Sequence, residues 1–214
     1  MSEDRVGDFE FERKFLVREV PETVLREPDP VLIVQSYFLA AEGYALRVRL
    51  QAPATDVQVD RAADEDELLA AMGEHVTFCA LTAKGPYVGG TRYEAERELE
   101  PSVGLAMVRL GGHKVVKYRY SVWLGADGWA VDRFLGRSAG LIVAECEREG
   151  PVTDLVIPDF CITEITDDPR FGNDRLATAP YQEWSAGYEG ELARRGPRFL
   201  GEFGHNRHGL ASEL

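Results

Sequence analysis

The stretch FEFERKF, residues 9–15, alternates apolar and charged side chains with the period of a β-strand. Its phenylalanines stand at odd positions, whereas Glu10, Glu12 and Lys14 stand at even positions. The strand therefore has one apolar face and one face with two carboxylates and an ammonium. A half-exposed sheet gives the same alternation, so the other strands must decide whether the charged face meets water or lines a site.

Seven further segments are strand-like, because they are rich in Val, Tyr, Phe and Thr and are separated by Gly, Pro or Asp. They are residues 31–39, 44–51, 76–84, 91–99, 113–124, 128–134 and 140–148. Helical patterns occupy residues 63–74, 102–112 and 172–194, the last interrupted at Pro180. We predict an α+β fold: an eight-stranded antiparallel closed β-barrel surrounded by a few helices.

Six of these segments repeat the charged pattern of the opening stretch. The charged residues at alternate positions are Arg47 and Arg49, Lys84, Glu94 and Glu96, Lys117 and Arg119, Asp132, and Glu145 and Glu147. If the barrel closes with its apolar faces outward under the helices, these side chains point into the lumen. The lumen of an eight-stranded barrel is just wide enough for side chains or one small ligand.

A lumen with so many charges requires compensation. Burying the seven acids and six bases as direct ion pairs alone is costly, since desolvation commonly exceeds the Coulomb gain. A divalent cation together with a polyanion resolves the difficulty. Carboxylates without His or Cys suit Mg²⁺ or Mn²⁺, and Arg and Lys suit phosphate oxygens.

Composition restricts the partners and the compartment. The formal net charge of −13, from 24 Lys and Arg against 37 Asp and Glu, argues against nucleic acid or an anionic membrane as a partner. No apolar run reaches the roughly 20 residues of a membrane span, and the acidic start MSEDRVGDFEF is unlike a signal peptide. We therefore predict a cytoplasmic protein. We expect its three cysteines to be buried free thiols and its three tryptophans to lie in the core or the barrel wall.

The residues also resemble a known family. EFERK (10–14) is similar to the E-x-E-x-K signature of the CYTH domain, the triphosphate tunnel metalloenzymes. The resemblance spans roughly residues 8–184. It continues in family order through QSYF (35–38), LRVRL (46–50), LTAKGP (81–86), RYEAERELE (92–100), KYRY (117–120), VDRFLG (131–136), GLIVAECE (140–147) and ITEITDDPRFGNDRLA (162–177).

The resemblance implies roles for the charged residues. The implied phosphate-binding cations are Lys14, Arg47, Arg49, Lys84, Lys117 and Arg119. The implied ligands of two Mg²⁺ or Mn²⁺ ions are Glu10, Glu12, Glu145 and Glu147, with Asp132, Glu94 and Glu96 as further ligands or holders of metal-bound water. Lys14 paired with Tyr37 is implied to help activate water. The candidate catalytic residues are thus Lys14, Tyr37, Glu94 and Glu96.

The activity implied is metal-dependent hydrolysis of the terminal phosphoanhydride of inorganic triphosphate or a related triphosphate. Nucleoside-triphosphate, thiamine-triphosphate and adenylyl-cyclase activities use the same fold and stay open. The lack of an aromatic pocket motif favours the inorganic substrate. A non-catalytic polyphosphate- or nucleotide-binding module and a barrel with an internal ladder of salt bridges are the alternatives of other classes.

The resemblance to the CYTH family also implies domain boundaries. We expect one tunnel domain over residues 1–195, with an insert at 52–75 near one tunnel mouth where the family has a short hairpin. The tail 196–214 is expected to be poorly ordered, with His205 and His208 exposed and without metal. The insert or the tail could form an interface, so the sequence also leaves a homodimer open.

Overall fold

The computed structural model describes residues 9–26, 30–57, 65–88 and 91–209. All eight predicted strands are present, with bounds that agree to within a few residues. They are β1 Phe9–Val17, β2 Val31–Ala41, β3 Tyr44–Pro53, β4 Phe78–Lys84, β5 Thr91–Glu98, β6 His113–Leu124, β7 Asp127–Phe134 and β8 Ile142–Arg148.

The strands form a closed antiparallel barrel, as predicted. Neighbouring strands follow the order β1-β5-β4-β3-β2-β6-β7-β8, and the pairing of β1 with β8 closes the circle. Two short strands follow β8 in the chain, β9 (Val156–Pro158) and β10 (Cys161–Glu164). Strand β10 pairs with the end of β1 outside the circle of eight.

Strand β1 changes partners along one of its edges. Its first residues pair with β5 and its last residues pair with β10. Between these two pairings, the Tyr87 hydroxyl donates to the carbonyl oxygen of Glu12 at 3.0 Å. The N–H of Lys14 donates to the Thr166 hydroxyl at 3.0 Å, and its carbonyl accepts from the Ile165 N–H at 2.9 Å. The signature residues Glu12 and Lys14 therefore lie at the point where the pairing of β1 changes from β5 to β10. We call this edge of β1 the seam.

The part of the chain that the structure describes has five helices around the barrel: α1 Glu22–Leu25, α2 Glu65–Met72, α3 Pro101–Leu110, α4 Asn173–Thr178 and α5 Tyr181–Arg195. Helices α2 and α3 cover β3 and β4, where Met72 and Val108 pack with Leu50. A Cβ at Gly104 would lie 1.9 Å from the Sγ of Cys79, so the glycine lets α3 lie close against β4. The apolar faces thus point outward under helices, which leaves the charged faces to the lumen.

The opposite wall is covered by the C-terminal helices. Phe171, just before α4, makes edge-to-face contacts with Trp184 and Tyr188 of α5, at centroid distances of 5.1 and 4.9 Å. These rings belong to one buried cluster with Leu16 of β1 and Leu141 before β8. The aromatic cluster fixes the segment 165–178 across one end of the barrel.

The insert at 52–75 joins β3 to β4, and its location near a tunnel mouth stays a prediction. It leaves β3 and returns to β4 at the same end of the barrel, yet its helix packs on the outer wall. The apolar side chains of α2 dictate this position, because Leu68, Leu69 and Met72 are all buried there. Residues 58–64 lie outside the described residues.

The tail differs from our expectation of poor order, since residues 196–209 pack against the barrel. Strand β11 (Arg207–Gly209) pairs in parallel with β9. Glu164 and Asn206 supply the physical reason. Glu164 pairs with the fully buried Arg13 of β1 and accepts the N–H of Leu200, and Arg13 also donates to Asn206. A buried guanidinium needs such partners. Residues 210–214 lie outside the described residues.

The structure confirms the prediction for the cysteines. The three cysteines are free and buried. Among the described residues, no helix is both long enough and apolar enough to cross a membrane.

Candidate active site in the barrel lumen

A cavity of about 750 Å³ occupies the barrel lumen. Its charged lining comes from alternate positions of the strands, as the period of the sequence predicts. The charged lining residues are Glu10, Glu12, Lys14, Arg47, Arg49, Lys84, Arg92, Glu94, Glu96, Arg119, Glu145 and Glu147. A second cavity of about 500 Å³ shares Glu12, Lys14 and Arg92 with the first, so the two together form a tunnel.

The tunnel has two mouths. The hairpin mouth is the end with the β6–β7 hairpin and Glu147. The helix mouth is the end with Tyr87, Thr166 and Asp174, the last of which belongs to α4. The signature residues Glu12 and Lys14 lie between the two mouths.

Lys14 is held by carboxylates of two adjacent strands. Its ammonium lies 3.0 Å from Glu12 and 3.2 Å from Glu145. Burial alone would lower the pKa of Lys14, but these two carboxylates outweigh burial and raise that pKa above its ordinary value. Lys14 therefore stays protonated and acts as a cation; it has no lone pair with which to accept a proton.

The predicted pairing of Lys14 with Tyr37 is not seen among the described residues. Tyr37 is buried, donates to Gln35 at 3.2 Å and accepts from Arg47 at 3.3 Å. Burial raises the pKa of Tyr37 above its ordinary value despite the nearby Arg47. The physical reason for the separation is that the ammonium of Lys14 is already engaged by Glu12 and Glu145. Tyr37 orients Arg47.

Asp132 belongs to a second cluster of charged side chains, together with Lys117, Arg119 and Glu145. Arg119 donates two hydrogen bonds to Asp132, at 2.7 and 2.6 Å, and one to Glu145 at 2.5 Å. Lys117 also donates to Asp132, and burial lowers the pKa of Lys117 to about 8 in spite of this partner. Both oxygens of Asp132 are thus used by cations. This geometry favours a role in holding Lys117 and Arg119 over the predicted role of metal ligand.

A third cluster contains a cation that sequence reasoning missed. Lys84 lies 2.9 Å from Glu10 and 2.6 Å from Glu94, and Arg92 donates to Glu10 at 2.8 Å. Arg92 lines both cavities. The signal was available, because Arg92 has the same parity on β5 as Glu94 and Glu96. The predicted cations Arg47 and Arg49 pair with Glu94 and Glu96 in the same region.

Sequence analysis also missed three neutral side chains at the site, of which Gln35 and Asn173 line the cavity. Thr82 donates to Glu96 at 2.8 Å, and Asn173 of α4 accepts from Lys117 at 3.3 Å. Gln35 accepts from Tyr37. Single amides and hydroxyls carry little signal in a sequence, so only the structure identifies them.

Glu147 is the lumen carboxylate with the least compensation. No cation of the described residues pairs with it, and it is the cross-strand partner of Glu12. Partial desolvation and the negative charges of Glu10, Glu12 and Glu145 raise the pKa of Glu147 to about 7. Glu147 is therefore protonated more easily than an ordinary glutamate, because desolvation and the neighbouring acids both disfavour its charged form.

These carboxylates fit a hard divalent cation by chemistry and by placement on two paired strands. Among the described residues, no three His, Cys, Asp or Glu side chains converge closely enough to hold a metal as they stand. The cause is visible in the ion pairs, since Lys14, Lys84 and Arg92 occupy the carboxylate oxygens. A divalent cation would therefore compete with these ammonium and guanidinium groups for the same oxygens.

The raised pKa of Glu147 predicts that the stability of the protein depends on pH in a buffer that contains a metal chelator. A carboxyl whose pKa is higher in the folded than in the unfolded state favours folding at pH values below its unfolded pKa of about 4.5. This contribution to the free energy of unfolding is lost as the pH rises to the folded pKa of about 7. Glu147→Gln removes this loss. We expect the variant to gain about 1 kcal/mol over the wild type between pH 4.5 and 8, after allowance for solvent screening.

Thermal unfolding at both pH values measures this gain as about 2–4 °C in Tm. The exposed Glu149→Gln on the same segment is the matched control and should show no such pH-dependent difference. An equal difference in Tm at pH 4.5 and pH 8 would contradict the assignment.

A closed barrel that carries cations and carboxylates along its lumen defines a class of protein that binds a phosphate chain inside a tunnel. Known proteins support this class. No family model matches the chain. The inorganic triphosphatase of Acetivibrio thermocellus is 34% identical over 106 residues, which are 49% of this chain and 68% of that protein.

Solved structures show the same fold. The crystal structure of the inorganic triphosphatase NE1496 aligns over 79% of this chain and 95% of its own, with 24% identity and a TM-score of 0.52. A second structure of NE1496, described as a hypothetical protein, aligns over 79% and 98% with 25% identity and a TM-score of 0.51. The chain belongs to the triphosphate tunnel metalloenzyme family, whose domain is called CYTH.

Proposed function

We propose that this protein is a metal-dependent triphosphatase that hydrolyses the terminal phosphoanhydride of inorganic triphosphate. The observation that carries the proposal is the closed lumen in which Arg and Lys side chains alternate with carboxylates over a volume of about 750 Å³. Its relative in Acetivibrio thermocellus carries the name inorganic triphosphatase, which supports the substrate class.

The cations of the tunnel wall bind the phosphate chain. Arg49 and Arg119 lie toward the hairpin mouth, and Lys14, Lys84 and Arg92 lie deeper, between the two mouths. In the free protein each is paired with a carboxylate, so the array is positioned before substrate arrives. Phosphoanhydride hydrolysis needs charge neutralisation and alignment more than covalent chemistry, and a fixed array of cations supplies both.

The carboxylates have two roles in this proposal. Glu10, Glu12, Glu145 and Glu147 would hold Mg²⁺ or Mn²⁺, which supplies electrostatic polarisation of the phosphate oxygens when bound. Glu94 is the proposed acceptor of the proton from the attacking water. Burial and the neighbouring Glu10 raise the pKa of Glu94, which makes it a better base than an ordinary surface carboxylate.

A phosphate-release panel tests the proposal. Tripolyphosphate, ATP, thiamine triphosphate and pyrophosphate are each incubated with the protein in Mg²⁺, in Mn²⁺ or in chelator. We expect release from tripolyphosphate with a divalent metal and none with chelator. A thermal shift with tripolyphosphate but no release would instead identify a binding module, and no release and no shift would overturn the proposal altogether.

A further inference from the structure

Trp123 lies at the hairpin mouth, and its indole is 76% exposed. Our sequence prediction placed all three tryptophans in the core or the wall. That holds for Trp129, which is 2% exposed, but it is wrong for Trp123. A tryptophan so exposed loses the stabilisation that burial of its ring would give, so its position requires an explanation.

The strand period places Trp123 on the lumen face of β6. It follows Lys117, Arg119 and Ser121 at intervals of two residues, and side chains at that interval share one face of a strand. Trp123 also lines a groove of about 300 Å³ together with Arg119, Glu145 and Glu147. The last three residues line the main cavity as well. The groove is thus a continuation of the phosphate tunnel at its hairpin mouth.

A glycine lies opposite Trp123 and lines the same groove. Gly128 of β7 is its cross-strand partner, and a Cβ at Gly128 would lie 3.7–3.9 Å from the indole ring. The ring atoms Cη2, Cζ2 and Cζ3 thus lie beside Gly128, and the exposure of Trp123 leaves most of the indole open to solvent. An open aromatic face beside a phosphate site is suited to stack on a flat ring joined to the phosphates.

We infer that Trp123 is a specificity-determining residue that stacks on the base of a nucleoside triphosphate whose phosphates lie in the tunnel. This inference rests on the proposed function and extends its substrate class from inorganic triphosphate to nucleoside triphosphates. Inorganic triphosphate has no ring, so its binding is independent of Trp123. The base lies at the mouth, and the terminal phosphate points inward toward Lys14 and Arg92.

Steady-state kinetics with two substrates test the inference. Trp123→Ala should raise the KM for ATP about tenfold, near the lower end of the range for stacking on one base, and leave the KM for tripolyphosphate unchanged. Trp123→Phe should restore most of the ATP affinity, because phenylalanine keeps a stacking face. Leu110→Ala is the matched control, since Leu110 is an 87% exposed apolar residue on α3, and it should change neither KM.

Titration calorimetry separates failure of this inference from failure of the proposed function. If no variant hydrolyses either compound, the proposed hydrolysis fails, yet a selective loss of ATP binding in Trp123→Ala still supports the role of Trp123. If tripolyphosphate is hydrolysed but Trp123→Ala affects both compounds equally, or affects neither, the inference is overturned. It is also overturned if the wild type does not bind ATP, or if the ATP effect arises from a changed oligomeric state in gel filtration.

Discussion

Replacing Glu145 by glutamine is expected to lower kcat for tripolyphosphate hydrolysis by at least about 100-fold while the protein stays folded. Glu145 accepts from Arg119 and contacts Lys14, and it faces the cavity as a proposed metal ligand. Burial alone would raise the pKa of Glu145, but Lys14 and Arg119 hold it well below its ordinary range. The charge is therefore present at every pH at which the enzyme would work, and the variant removes it.

The fold tolerates this change because each cation has another partner. Lys14 keeps Glu12, and Arg119 keeps Asp132. Phosphate release and thermal unfolding, measured on the same preparation, separate loss of activity from loss of structure. Glu149→Gln changes the same charge just beyond the end of β8 and should retain full activity. Wild-type activity in Glu145→Gln would refute the assignment of Glu145 to the site.

The largest loss of stability is expected at the ion pair between Arg13 and Glu164. Both side chains are fully buried, and two hydrogen bonds of 2.8 Å join them. Glu164→Gln leaves the guanidinium buried without an opposite charge, which costs about 3–5 kcal/mol. We expect a fall in Tm of about 6–20 °C in thermal unfolding.

Two comparisons make this prediction specific. The pair of Arg198 and Asp167 is exposed on both sides, so Asp167→Asn should cost less than about 1 kcal/mol. Replacing Arg13 and Glu164 together by Met and Leu should recover only part of the loss, because the apolar pair leaves no buried charge. The Leu200 N–H and the Asn206 side chain lose their partners in this double variant. Equal losses for Glu164→Gln and Asp167→Asn would show that burial does not govern the pair.

The sequence predicted the lumen well because a strand fixes which residues share a face. Once Glu10, Glu12 and Lys14 were assigned to one face, the same rule carried over to the other strands. The prediction was wrong where the residue type was given more weight than the position of the residue in the strand period. Arg92 was passed over beside two glutamates, and Trp123 was placed in the core or the wall although it has the same parity as Lys117 and Arg119.

Other features depend on contacts that no local pattern contains. Arg13 interrupts the apolar face of β1, and its partner Glu164 lies 151 residues away in the chain. The choice of carboxylate for each cation depends on strand register, which a sequence does not give directly. The order of the tail follows from the same distant pair, since Leu200 and Asn206 bond to it.

The seam along β1 has a consequence for how the chain is made and folded. Strand β1, which contains the signature residues, is synthesised more than 120 residues before its partners β8 (residues 142–148) and β10 (residues 161–164). Pairing of such distant segments must overcome the entropy of closing a very long loop, and barrels dominated by such contacts fold on the millisecond-to-second scale. On the ribosome, β1 therefore waits without these closing partners until residues 142–164 have emerged, and the barrel can close only after that point.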